Sequence, residues 1–149
     1  MNKTTLTKIG SLISYGFAVA GLVFLIFTKH LFAVHPVGII IQLLSFGLMI
    51  WARITFGFRS FHAVANTTRG GLVTHGPYRI LRHPIYASVI YFTWAGVLSY
   101  PFSIAVAAAL LITLSLIARM LLEEIFLKVT YPEYIEYSEH SYMLLPFLI

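Results

Sequence analysis

The residues best suited to chemistry fall in two stretches. The first contains Gly76, Pro77, Tyr78, Arg79, Arg82, His83, Pro84 and Tyr86; the second contains Arg119, Glu123, Glu124 and Lys128, followed by Tyr131, Glu133, Tyr134 and Tyr137. Pro84 suits the first position of a helix, where its missing N–H costs nothing. The free N–H groups and positive dipole end of that helix, with Arg79, Arg82 and His83 beside them, form a candidate pocket for an anionic group. The same cations would also hold the connection to phospholipid headgroups. In the second stretch Arg119 and Glu123 stand four apart, as do Glu124 and Lys128, so each carboxylate has a partner on its own helical face; exposed pairs of this kind contribute only about 0.2–0.5 kcal/mol. A glutamate at a membrane edge is costly and tends to face a bundle interior or a polar cavity.

What must position these groups is a membrane scaffold. Of 149 residues, 59% are hydrophobic and 10% charged, with mean hydropathy +0.87, whereas about a quarter of a soluble domain is charged. The charges are segregated: residues 1–122 hold nine Lys/Arg and no acid, and residues 123–149 hold all five Glu and Lys128. The chain has no Asp and no Cys. Ser-His-Asp triads, EF-hand loops, disulfides and thiolate chemistry are thereby excluded. His30, His62 and His140 lack metal-ligand spacing, and no metal is expected. If a proton had to leave the reacting group, His83, His75 or a glutamate would be the candidate base.

About 20 apolar residues cross a hydrocarbon core roughly 30 Å thick. Four segments are expected to do so: 9–28, 36–56, 85–100 and 102–122, the third of them short. Ser99, Tyr100 and Pro101 make the last two a hairpin. Gly10, Ser14 and Ala18 form a small-residue stripe on the first helix. No Ala-x-Ala-type cleavage site follows the first segment before Lys29, so it is expected to remain in place. Lys3 and Lys8 precede the first span, and Arg53, Arg59, Arg69, Arg79 and Arg82 lie between the second and third. The positive-inside rule then places both termini and the connection 57–84 in the cytoplasm. The expected fold is all-α, a single multi-pass membrane domain over 1–149, with 57–84 and 123–149 forming the site. Hydroxyls aside, Gln42 is the one polar group well inside a span, too little for a transport pathway.

The ordered combination Leu72, Val73, Thr74, Gly76-Pro77-Tyr78-Arg79, Arg82-His83-Pro84 and Tyr86, then Arg119, Glu123-Glu124, Leu127, Tyr131-Pro132-Glu133-Tyr134, Tyr137 and Leu145-Pro146, resembles the isoprenylcysteine carboxyl methyltransferase family and its phospholipid N-methyltransferase relatives. The resemblance covers roughly residues 55–147. It implies a small helical membrane bundle, in the endoplasmic reticulum or a bacterial inner membrane, whose cytoplasmic face binds S-adenosylmethionine and methylates a lipophilic or prenylated acceptor. Such a cofactor requires cationic, anionic and aromatic elements together. By the resemblance Arg82, His83 and the start of the third helix meet its carboxylate or ribose side, and Glu123 and Glu124 its ammonium or hydroxyl groups. Tyr78 and Tyr86 form the walls, with Gly76, Pro77 and Pro84 in the binding loop and Arg119 orienting Glu123. Arg82, Glu123 and Glu124 are the expected catalytic residues.

The sequence departs from the family pattern at Ser88, where Gly is common, and around Tyr142-Met143, where a basic residue is common. The nearest rival is the NADPH-binding sterol reductase group, which favours Asn after His-Pro where this chain has Ile85. A second rival is a non-catalytic membrane protein whose basic loop binds lipid or a partner. Nucleic acid is not an expected partner, since the cations lie at a membrane face without a stacking platform.

Overall fold

The structure is a computed structural model, and residues 3–57, 71–100 and 104–145 are described. Among them every regular element is helical: α1 (Lys3–Phe27), α2 (Pro36–Phe56), a 3-10 turn (Gly76–Arg79), α3 (Pro84–Val97), α4 (Ile104–Thr130) and α5 (Tyr134–Glu139). Proline opens both α2 and α3, where its fixed φ suits the first helical turn. His35 caps α2 by accepting the Val37 N–H, and Gly57, at φ 71, closes it by returning its own N–H to the Arg53 carbonyl.

Three helices are long and apolar enough to cross a membrane, over Thr5–Phe27, Pro36–Phe56 and Ile104–Thr130. The third expected span, 85–100, is a shorter apolar helix, Pro84–Val97. With 14 residues, α3 rises about 21 Å against a core of roughly 30 Å. Pro84 fixes its start, and the chain turns away after Val97. At Gly96 the backbone of the 28–35 turn presses on the helix so closely that a Cβ would fall 2.0 Å from the Leu31 carbonyl oxygen. α4 continues to Thr130, beyond the expected end at Leu122, so Glu123 and Glu124 lie within a helix.

The helices pack antiparallel in the order α1, α4, α3, α2. Gly10 lies beside Leu122 and Gly21 against Ile112, where a Cβ would approach within 2.6 Å. The Trp94 indole N–H donates to Thr113 Oγ1 at 2.9 Å, joining α3 to α4. α3 and α4 pack against each other, although each packs more extensively on α2 or α1; Pro101 of the expected hairpin turn lies outside the described residues.

Mostly small and polar residues face inward: Ser11, Ala18 and Gly21, with the larger Leu25, on α1, and Gly38, Gln42, Ser45 and Ala52 on α2. The stripe on α1 thus follows Ser11, Ala18 and Gly21, whereas Ser14 is only half-buried. Phe17, Ile26, Leu43, Leu44, Phe46 and Ile54 point outward. This inversion of the soluble pattern is what hydrocarbon surroundings favour, since close backbone approach between helices replaces the hydrophobic drive.

Gln42 is a clamp. Its Nε2 donates to the Leu31 carbonyl at 2.7 Å and the Phe92 carbonyl at 3.1 Å, and its Oε1 accepts the Ala33 N–H at 3.0 Å. It pins the 28–35 turn to α2 and α3. His30 rests edge-on against Tyr100 at the same end. The start of α1, the end of α2, the start of α3 and the end of α4 gather at the opposite end, with all the Lys and Arg of the described residues except Lys29 on that side or approaching it.

Candidate functional site

The site forms where α3 begins beside the last turns of α4. The strand-like segment before α3 is held by a parallel bridge between Leu81 and Tyr142: the Arg82 N–H donates to the Tyr142 carbonyl at 2.7 Å, and the Tyr142 N–H to Ile80 at 2.9 Å. Arg82 is thereby aimed at α4. Its Nε donates to Glu124 Oε1 at 2.9 Å, and its Nη1 to the carbonyls of Ser138, at 2.9 Å, and Ser141. A single guanidinium therefore joins α4, α5 and the segment after α5. Arg82 and Glu124 are 12% and 9% exposed at their side chains, so neither charge could lose its partner cheaply.

His83 follows, almost enclosed. Its Nε2 lies 3.4 Å from Glu124 Oε1, its Nδ1 lies 3.9 Å from Glu123 Oε2, and its ring stacks on Tyr86. Among the described residues His83 Nε2 and the Tyr134 hydroxyl are buried without an aligned hydrogen-bond partner. Glu123 is held on one oxygen. Oε1 accepts from the Tyr86 hydroxyl at 2.6 Å and lies 3.3 Å from Arg119 Nη2, while Arg119 Nε donates to the same Tyr86 oxygen at 2.6 Å. Lys128 stands 3.9 Å from Glu124 Oε2 and is half exposed. Both i,i+4 pairs read from the sequence are present, and each glutamate has in addition a partner from across the helix boundary.

The turn Gly76–Arg79 sits against the end of α2. Gly76 has φ +60, and a Cβ there would meet Thr55 Oγ1 at 2.8 Å, so both backbone conformation and space require glycine. Tyr78 packs beside Phe56 in a small cluster with Ala52 and Val73. The Tyr137 hydroxyl donates to the Tyr78 carbonyl at 2.5 Å and ties the turn to α5. Burial, above all, raises the pKa of the Tyr78 and Tyr134 phenols, and it pushes Tyr137 up to about 12. All three stay neutral at physiological pH, and Tyr137 serves as a donor.

Of the residues singled out in the sequence, Arg82, His83, Tyr86, Glu123 and Glu124 converge, with Pro84 opening the helix that carries Tyr86. Gly76, Pro77 and Tyr78 flank them through Tyr137. Arg79 and His75 are exposed. Arg59, Arg69, His62 and Pro146 lie outside the described residues. Tyr134 and Tyr137 stand in the sequence pattern without an assigned role, and Ser138 and Ser141 stand outside it. The sequence also has no signal for Ser11 and Tyr15 of α1, whose carbonyl and ring reach Arg119.

The family model for phospholipid methyltransferases matches residues 33–134, from the turn before α2 to the first residue of α5. The chain belongs to the phospholipid methyltransferase family. It is a membrane methyltransferase acting on lipid-type substrates, and the matched segment contains every side chain of the convergent cluster. No curated protein and no solved structure matches the chain. As a phospholipid methyltransferase family member it carries α1, Tyr137 and the Ser138–Ser141 carbonyls outside the matched segment.

Proposed function

We propose that this methyltransferase uses S-adenosylmethionine, bound between the start of α3 and the end of α4, and delivers the methyl group to a lipophilic acceptor, either an isoprenylcysteine carboxylate or a related lipid. The observation that carries this reading is the half-engaged Glu123. Its Oε1 is fixed by Tyr86 and Arg119, and its Oε2 faces His83 at 3.9 Å, leaving an acceptor oriented for an ammonium or hydroxyl group.

His83 Nε2, 3.4 Å from Glu124 Oε1, and the Tyr134 hydroxyl are buried without an aligned hydrogen bond and supply further polar atoms beside Glu124, and buried polar atoms of this kind favour a well-aligned partner. The N–H groups of the first turn of α3 are suited to a carboxylate. Gly76, Pro77 and Tyr78 form a flank, and Tyr86 a wall. When bound, the cofactor supplies an electrophilic methyl group on a sulfonium. The protein's part is to hold donor and acceptor in line and to exclude water. Glu123 holds the cofactor, and Glu124 with Arg82 keeps the enclosing segment in place. A carboxylate acceptor needs no base, whereas an amine would release a proton to Glu123 or His83.

Positive-inside topology supports a cytoplasmic placement of the site and of both termini. A lipid acceptor would then reach it from the bilayer, between helices whose outer faces are apolar.

The test is transfer of labelled methyl groups in membranes to phospholipids, prenylcysteine analogues and small thiols, with wild type beside Glu123→Gln. Incorporation into one class by wild type, lost in the variant, is expected. Absence of incorporation into every class overturns the reading, as does thermal stabilisation by NADPH without any by S-adenosylhomocysteine.

A further inference from the structure

α1 precedes the segment matched by the family and reaches the site at Arg119. Arg119 is 2% exposed at its side chain, and a guanidinium so enclosed requires partners on every side. From α3 and α4 it has the Tyr86 hydroxyl and Glu123. From α1 it gains two more: Nη1 donates to the Ser11 carbonyl at 3.2 Å, and the guanidinium carbon lies 5.0 Å from the centroid of the Tyr15 ring. The Tyr86 ring, at 5.8 Å, is a second aromatic neighbour. In a regular helix the Ser11 carbonyl also receives the N–H of Tyr15, so the two contacts belong to one turn of α1. Gly10 permits the approach, since a Cβ there would stand only 3.3 Å from Leu122.

We propose that Tyr15 of α1 is a positioning residue for the cofactor site, acting through Arg119 on Glu123. The ring holds the guanidinium by its π face, in surroundings where such contacts are strengthened by the loss of water. The guanidinium fixes the Tyr86 hydroxyl and Glu123 Oε1, and so sets where Glu123 Oε2 points. Tyr15 itself is 40% exposed on the outer surface of the bundle and touches no expected ligand position. Removing its ring should therefore loosen Glu123 without altering the chemistry, weakening cofactor capture and leaving turnover at saturation intact.

This inference rests on the reading that Glu123 holds S-adenosylmethionine. The experiment uses the full chain in lipid nanodiscs, comparing wild type, Tyr15→Phe and Tyr15→Leu. It measures the affinity for S-adenosylhomocysteine, KM for S-adenosylmethionine, kcat and the unfolding midpoint of the ligand-free protein. Tyr15→Leu is expected to raise Kd and KM about three- to tenfold, with kcat within about twofold and the midpoint unchanged. Tyr15→Phe keeps the ring and should match wild type. The proposal is overturned if Tyr15→Leu binds as wild type does, if both variants weaken binding equally, if kcat falls while KM holds, or if the loss follows a lowered midpoint. If wild type itself fails to bind S-adenosylhomocysteine, the cofactor reading falls and this proposal with it.

Discussion

The Tyr86 hydroxyl stands between Arg119 and Glu123, accepting from Arg119 Nε at 2.6 Å and donating to Glu123 Oε1 at 2.6 Å. One phenol thereby converts a buried cation on α4 into a fixed orientation of a carboxylate one turn further on, with α3 as the intermediary. Hydrogen bonds to charged groups contribute about 1.5–3 kcal/mol. Tyr86→Phe should raise KM for S-adenosylmethionine about tenfold or more while the protein still folds, as measured by steady-state kinetics beside circular dichroism. A KM equal to that of wild type would show that Glu123 does not depend on Tyr86.

Arg82 should be the most damaging single position for stability. Replacing it with Met leaves Glu124 buried without its 2.9 Å partner and frees the Ser138 and Ser141 carbonyls. Breaking a buried pair in this way costs about 3–5 kcal/mol. Arg82→Lys should recover only part of this, because an ammonium on a flexible stem does not reproduce the planar fork that reaches three acceptors. Thermal unfolding in detergent checks both variants, and limited proteolysis should cut first within the segment that follows α4.

High pH should loosen the same segment. Tyr137 is pushed from its usual value near 10 up to about 12, so the folded protein retains a proton that the unfolded chain loses. Its contribution to stability is fully present below about pH 10 and declines as the pH rises toward 12. The buried phenols of Tyr78 and Tyr134 act in the same direction. Denaturation across this range should show stability falling with pH, less steeply in Tyr137→Phe. An equal slope in the variant would remove Tyr137 from the account. The variant should also cost about 1 kcal/mol at neutral pH through loss of the bond to the Tyr78 carbonyl.

Gln42 lies at the other end of the bundle, where a purely structural effect is expected. Gln42→Leu leaves the Ala33 N–H and the Leu31 carbonyl unsatisfied, at about 1–3 kcal/mol for each buried group. The unfolding midpoint should fall while KM and kcat at the temperature of assay remain near wild type. A selective loss of activity would mean that the turn 28–35 communicates with the site.

The sequence alone determined the class of the fold, because apolar runs of membrane length and the separation of cations from acids are one-dimensional signals. It also determined the neighbours along each helix: Arg119 beside Glu123, Glu124 beside Lys128, and Pro84 at the start of α3 follow from helical periodicity. The gathering of Arg82, His83, Tyr86 and the two glutamates was legible only through the resemblance to a known family, since nothing in local spacing brings residue 82 to residue 124. Tertiary packing decided what each group does. Arg82 reaches Glu124 and two backbone carbonyls because the segment after α5 folds back to pair with Leu81. Ser11 and Tyr15 meet Arg119 because small residues let α1 lie close against α4. The third segment is short already in the sequence, whereas the close seat of the 28–35 turn on Gly96 appears only in the packed bundle. Contacts between segments far apart in the chain depend on how closely backbones approach, and that distance is a property of the assembled bundle, not of any one stretch of sequence.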